Sequence, residues 1–210
     1  ESLHESFELN VHLHNEDLAT TAAHIRQMVQ DSLNRQCEAS QVHAAFLSGG
    51  LDSSILCALA AQRGPLNTFS LDYEGNERYF KGYAYQTTRD NDYIDAMVQR
   101  YQFHHQPLLI TQRECEELLE TAMVGRDGPG MADVDSSLLW MYRKVKEQTD
   151  SVLTGECSDE LFGGYPWFYR SDLVDLKSFP WLQSLPQRVK LLRAPINELD
   201  YEGAMRAAYW

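Results

Sequence analysis

The stretch QVHAAFLSGGLDSSILCALAAQ, Gln41 to Gln62, decides the fold class. QVHAAFL (Gln41 to Leu47) is a short apolar run with β-branched and aromatic members and predicts a buried strand. It stops at Ser48-Gly49-Gly50, and the Ala-, Leu- and Ile-rich residues Leu51 to Gln62 predict a helix. Strand, glycine turn and helix then recur outward. LNTFSLD (Leu66 to Asp72) predicts a second strand, Asp92 to Tyr101 a helix, HQPLLI (His105 to Ile110) a third strand and Arg113 to Met123 another helix. After the loop GRDGPGMADVD (Gly125 to Asp135), Ser136 to Gln148 predicts a helix and SVLTG (Ser151 to Gly155) a fourth strand. Upstream, Leu18, Ala22, Ile25, Met28, Val29 and Leu33 recur at three- and four-residue intervals, the stripe of an amphipathic helix over Asp17–Gln36 that packs on a sheet. Alternation of this length predicts an α/β fold, a doubly wound parallel sheet with helices on both faces.

Two segments depart from the alternation. Asp72 to Asp92, with Tyr73, Tyr79, Tyr83 and Tyr85, is too long for a plain strand-to-helix turn; a lid and a surface loop pinned by its own aromatics both fit. From Ser171 onward, Pro180, Pro186 and Pro195 predict short helices leaving the core, a helical C-terminal extension.

Composition narrows the function. The 210 residues carry 31 Asp+Glu against 18 Lys+Arg, a formal net charge of -13, which opposes nucleic-acid binding. No apolar run reaches the length of a bilayer span and the first residues are not a signal peptide, so a soluble, cytoplasmic protein without a membrane partner is expected. Cys37, Cys57, Cys115 and Cys157 lack metal or disulfide spacing and are expected as reduced thiols. His12 and His14, and the pair His104-His105, also lack metal spacing and are read as structural or surface residues.

The chemistry concentrates in SGGLDSS (Ser48 to Ser54). At the carboxyl end of a strand in a doubly wound sheet, this turn occupies the usual ligand position. Its glycines admit an anion to the backbone, the first helical N–H groups point at it, and the serine hydroxyls add donors. The motif is neither a Walker loop nor GxGxxG. A turn that merely needs glycine would not require Asp52, whose carboxylate repels a phosphate unless a cation intervenes; Mg²⁺ held partly by Asp52 is the economical reading. A second acidic turn, TGECSDELFGGY (Thr154 to Tyr165), places Glu156, Asp159 and Glu160 at a helix start, more carboxylates than ordinary capping needs.

SGGLDSS resembles the pyrophosphate loop of ATP pyrophosphatases. Taken with TGECSDELFGGY, the chain is similar to the synthetase domain of glutamine-hydrolysing asparagine synthetases, and PGMADVDSSL (Pro129 to Leu138) resembles a microbial branch. The likeness runs from about residue 17 to the end. It implies ATP and Mg²⁺ as cofactors, with Ser48, Gly49, Gly50, Asp52, Ser53 and Ser54 at the pyrophosphate and Asp52 and Asp159 on the metal. Phe46, Leu47, Ser70, Leu71 and Gly155 would frame the adenosine. Thr154 stands where the family usually has Ser and keeps the hydroxyl. Glu156 matches the family's catalytic glutamate, a candidate general base toward ammonia, with Asp52 and Asp159 beside it in the catalytic set. Cys157 replaces a Gly or Ala and is read as a packing substitute. For the amino-acid substrate the candidates are Arg126, Asp127, Asp133, Asp135 and Glu160, with a solvated, capped loop as the competing reading.

The implied reaction is adenylation of the aspartate side-chain carboxylate with release of pyrophosphate, followed by displacement of AMP by ammonia to give asparagine. The implied partners are ATP, aspartate and ammonia from a glutaminase domain; a homodimer is left open. Residues 1–170 are expected as the synthetase core and 171–210 as the beginning of its helical extension, cut short before a phosphate-contacting lysine, with the glutaminase domain absent. The alternatives are a relative acting on another carboxylate, of the β-lactam or peptide-cyclising type, and a non-catalytic Mg·ATP-binding fragment.

Overall fold

The computed structural model describes residues 13, 15–40, 42–82, 88–128, 130–171, 187, 189–191, 193, 195, 198–201 and 203–204. The chain forms two compact units, Glu1–Thr154 and Gly155–Trp210.

The first unit is built on a parallel sheet. β1 (Ala44–Phe46) pairs with β2 (Asn67–Tyr73), which pairs with β3 (His104–Ile110). Ala45 lies opposite Thr68, and Thr68 opposite His105. The expected fourth strand shortens to one parallel bridge on the free side of β1. There Leu153 N–H donates to the Ala44 carbonyl at 2.9 Å and Phe46 N–H donates to the Leu153 carbonyl at 2.9 Å. Thr149, whose hydroxyl donates to the Ser151 carbonyl, closes a local turn just ahead of the bridge. The spatial order is therefore Leu153, β1, β2, β3, and the chain changes direction of progression between β1 and the Leu153 segment.

β1 is inaccessible on both sides, as its uninterrupted apolar run requires. One face holds Ala45 and Leu47 with Leu33 and Cys37 of α1 (Leu18–Ser40), Cys57 and Leu59 of α2 (Leu51–Ala60) and Ile94 of α4 (Asn91–Tyr101). The other holds Ala44, Phe69 and Leu108 with Met141 and Val145 of α6 (Ala132–Lys146), which pairs with α5 (Gln112–Gly125). Helices thus cover both faces. The fold is the doubly wound α/β sheet that the strand–helix alternation predicts.

Only part of the expected stripe of α1 packs. Val29 and Leu33 join the core, whereas Leu18 is 86% exposed and Met28 is also exposed. A helix of 23 residues is about 35 Å long, and a seven-residue strand spans about 23 Å, so one end overhangs the sheet. α5 starts at a capping box: the Thr111 hydroxyl accepts from Glu114 N–H and the Glu114 carboxylate accepts from Thr111 N–H. No helix among the described residues is long and apolar enough to cross a membrane. The expected extension carrying Pro180 and Pro186 lies mostly outside the described residues, as do His12, His14, Tyr83 and Tyr85. None of the four cysteines forms a disulfide with another, and burial pushes the Cys57 thiol up to about 12.

In the second unit, Gly155, Glu156 and Cys157 lead into α7 (Ser158–Phe162), followed by a 3₁₀ turn at Pro166–Phe168. Tyr165 stacks on Trp167 with ring centroids 4.3 Å apart.

Candidate nucleotide site

In a doubly wound sheet, the crevice for a ligand opens where strand order reverses, at the carboxyl ends. Here that point is the carboxyl end of β1, and it carries Ser48–Ser54. Leu47 is fully buried, and its N–H donates to the Phe69 carbonyl at 2.8 Å, so the turn leaves an immobile strand end. Gly49 has φ +83°, and a Cβ there would come within 2.7 Å of the Asp90 carbonyl oxygen. Glycine at this position is therefore required by both dihedral and close packing. Gly50 is the N-cap of α2 in extended conformation and supplies no side chain to cap it. The N-cap residue thus makes no side-chain bond to the first turn, and among the described residues the Ser48 hydroxyl accepts from Gly50 N–H at 3.4 Å, an arrangement that leaves helix N–H groups toward an anion.

The serines divide their work. Ser53, 6% exposed, accepts from Ser48 N–H at 3.1 Å, meets the Ser48 hydroxyl at 2.9 Å and lies 3.3 Å from the Gly50 carbonyl. It stitches the turn together from inside. Ser48 is exposed, Ser54 half-buried, and Asp52 stands half-buried in the first turn of α2. These hard oxygen donors fit Mg²⁺, which keeps waters and substrate phosphates around one or two carboxylates rather than a full protein cage. No group of three His, Cys, Asp or Glu able to hold a metal occurs among the described residues.

The adenosine-framing candidates alternate across the sheet. Leu47 faces the α1/α2 core and Phe46 the α6 side, where its ring meets Tyr142 at 5.8 Å. Ser70 lies on the His105 side and Leu71 packs with the α6 core. Successive side chains on a strand point to opposite faces, so within each pair only one side chain can line a given crevice and the other can contribute only backbone. Near the carboxyl end of β2, Asp72 accepts from Asn76 Nδ2 at 2.6 Å and Asn91 Nδ2 at 3.2 Å, and just past the strand Glu74 N–H donates to the Ile110 carbonyl. One carboxylate pins both described ends of the 72–92 segment.

Among the amino-acid candidates, Arg126 and Asp135 form an ion pair at 3.0 Å, with Asp135 largely covered. A Cβ on Gly130 would run into both side chains. The pair closes the loop, so each charge has a partner within the protein. Asp127 is exposed with φ +60°; Asp133 sits in the first turn of α6.

In the second unit, Glu156 and Glu160 are exposed and Asp159 is half-buried. The Tyr165 hydroxyl donates to Glu160 at 3.1 Å; that bond, with the negative charges of Glu160, Asp159 and Glu156, pushes its pKa up. Cys157 is exposed with φ +68°, which corrects the expectation that it substitutes in packing. Its backbone takes the left-handed region, which glycine adopts most readily. Thr154 is exposed at the end of the first unit.

His105, read from the sequence as a structural or surface residue, is half-buried and bridges two hydroxyls. Its Nδ1 lies 2.9 Å from the Thr68 hydroxyl and its Nε2 3.1 Å from that of Ser70. The signal was present: Thr68 and Ser70 share a face of β2, and parallel pairing with β3 brings the histidine there. An open groove of about 550 Å³, lined by Arg35, Gln36, Val42 and Asp150 among others, lies at the amino ends of β1 and the Leu153 segment, away from this chemistry.

The asparagine synthase family model matches residues 24–208. The chain is 42% identical over 201 residues to asparagine synthetase [glutamine-hydrolyzing] 3 of Bacillus subtilis, covering 91% of this chain and 32% of that protein. It is 30% identical over 159 residues to a putative asparagine synthetase [glutamine-hydrolyzing] of Mycobacterium tuberculosis, covering 75% of this chain and 22% of that protein. The chain therefore spans a third or less of the length of these relatives. Among solved structures it is similar to an NMN synthetase from Francisella tularensis, with a TM-score of 0.44 and 13% identity over 88% of this chain and 90% of that one. It is also similar to an NH3-dependent NAD synthetase from Campylobacter jejuni, with a TM-score of 0.41 and 12% identity over 89% and 94%.

Proposed function

This chain belongs to the asparagine synthase family, and from that premise we propose that it carries the ATP-binding, carboxylate-adenylating part of an amide-forming synthetase. The observation that carries this reading is the uncapped amino end of α2 standing at the carboxyl end of β1, where strand order reverses. The first N–H groups of α2 and the Ser48 and Ser54 hydroxyls receive the pyrophosphate portion of ATP, while Gly49 and Ser53 keep the turn in shape. The backbone of Leu47 and the Ser70 side of β2 border the adenosine, with Phe46, Leu71, Thr154 and Gly155 assigned to the same task by the motif. Asp52 and Asp159 are the residues assigned to Mg²⁺, which supplies positive charge against the triphosphate in a chain whose net charge is -13.

The reaction that follows is attack of the aspartate side-chain carboxylate on the α-phosphorus, expelling pyrophosphate, and attack of ammonia on the acyl adenylate, expelling AMP. The chain's contribution is to hold the reacting groups in line and to present donors to the departing phosphates. Glu156, exposed and close in sequence to Asp159, takes the proton that ammonia sheds. Ammonia comes from a glutaminase domain.

Calorimetry of Mg·ATP with the wild-type protein and with Asp52→Ala tests the binding step. Binding that weakens at least tenfold in the variant is expected; unchanged binding overturns the role of Asp52. A second reading, adenylation of a different carboxylate, is favoured by one observation: Arg126 is paired with Asp135 and so is not a ready counter-charge for aspartate. ATP–pyrophosphate exchange with a panel of acids separates the two, since aspartate alone drives exchange under the first reading.

A further inference from the structure

We propose that Thr68 and His105 form a relay that fixes Ser70 as a hydrogen-bond donor toward the nucleoside, making the pair positioning residues for nucleotide recognition. The inference rests on the nucleotide reading above and adds the polarity of one contact.

Thr68 is fully buried, and among the described residues its hydroxyl has one partner, His105 Nδ1 at 2.9 Å. A buried O–H with no acceptor is costly. Either tautomer leaves one of the two hydroxyl hydrogens, that of Thr68 or that of Ser70, without an acceptor among the described residues; Thr68 is 0% exposed and Ser70 7%, so the Thr68 hydroxyl is the one that donates to Nδ1, the unprotonated nitrogen. Burial holds the imidazole below its ordinary pKa against the opposing pull of Asp95 on α4, so the ring is neutral at pH 7 and its single N–H sits on Nε2. That N–H donates to Ser70 Oγ at 3.1 Å. Ser70, also buried, then has its own hydrogen uncommitted, because a hydroxyl accepts and donates at once and no other described residue takes its proton. Two residues past Thr68 on the same face of β2, this donor lies toward the carboxyl end of the strand, the end at which a doubly wound sheet receives its ligand. Its complement is an acceptor, a ring nitrogen or ribose oxygen of the nucleoside. The opposite tautomer would strand the Thr68 hydrogen inside the core and leave Ser70 donating to the histidine, with only lone pairs to offer.

The first test is the imidazole ¹⁵N spectrum of the protein at neutral pH without ligand. His105 is expected as the neutral Nε2–H tautomer; an Nδ1–H tautomer or an imidazolium overturns the relay. The second is Mg·ATP affinity in Ser70→Ala, Thr68→Val and the double variant, with Thr68→Ser as the conservative control. Each single substitution is expected to weaken binding by roughly five- to tenfold, the scale of one hydrogen bond. The double variant should be no weaker than the worse single one, and Thr68→Ser should restore affinity. Additive losses, or an unchanged affinity in Ser70→Ala, overturn the donor role. A wild-type protein that binds no nucleotide refutes the nucleotide reading itself, and the donor role with it, while the spectrum still reports the tautomer.

Discussion

The two acidic glycine turns use similar residues and are built on opposite principles. Ser48–Ser54 leaves a buried strand, is bonded internally through Ser53, and delivers its helix onto a core that includes Cys57 and Leu59. Thr154–Tyr165 surrounds a five-residue helix whose flanking residues, Cys157 and Gly163, both have positive φ, and whose glutamates face solvent. The first turn takes its shape from the fold; the second from backbone conformation and a small aromatic stack of Tyr165 on Trp167. A preorganised cradle and a surface-borne set of carboxylates suit the different tasks proposed for them, fixing phosphates in one case and meeting a mobile reactant in the other.

The sharpest way to break the comparison is to add a methyl group to each left-handed glycine. Gly49→Ala introduces both left-handed strain and a collision with the Asp90 carbonyl, and should destabilise the protein by about 2–4 kcal/mol in denaturant unfolding. Gly163→Ala meets only Phe168 at ordinary contact distance and should cost about 1–2 kcal/mol. Equal losses would mean that the two turns are held alike. Next in size, Ser53→Ala removes a buried acceptor from Ser48 N–H and should cost about 1–3 kcal/mol, whereas Glu160→Gln on the exposed turn should stay within about 0.5 kcal/mol.

A smaller effect concerns pH. The depressed pKa of His105 means that the folded state prefers the neutral ring. Its contribution is fully present above the ordinary value of 6.5 and is lost as pH falls below it, where the unfolded chain takes up a proton that the folded one resists. The slope of unfolding free energy between about pH 7 and 5 should therefore flatten in His105→Gln. The smallest effect expected is a gain: Cys157→Gly relieves left-handed strain but adds chain entropy to the unfolded state, leaving about 0.5 kcal/mol of stabilisation in thermal melts.

Much of the first unit was legible because its strands are short apolar runs punctuated by Gly49-Gly50 and its helices follow directly. Leu153 was harder: SVLTG has strand composition, but the chain pairs for a single bridge before reaching Gly155. The α6 helix begins at Ala132, ahead of the expected Ser136, because the Arg126–Asp135 pair fastens its first turn to the preceding loop, and that contact has no signature in local propensity. The glycine turn at the carboxyl end of β1, the proposed phosphate cradle, was readable from SGGLDSS alone. The division of labour within it was not, since Ser53 and Ser54 are identical as letters and differ only in which side of α2 they occupy. His105 needed the register of β2 against β3, which no single segment encodes.

The most direct measurement is a crystal structure of the protein with Mg²⁺ and a non-hydrolysable ATP analogue. The account predicts the phosphates against the N–H groups of the first turn of α2, within hydrogen-bond reach of Ser48 or Ser54, with the nucleoside beside Ser70. Phosphates bound away from Ser48–Ser54 would contradict it.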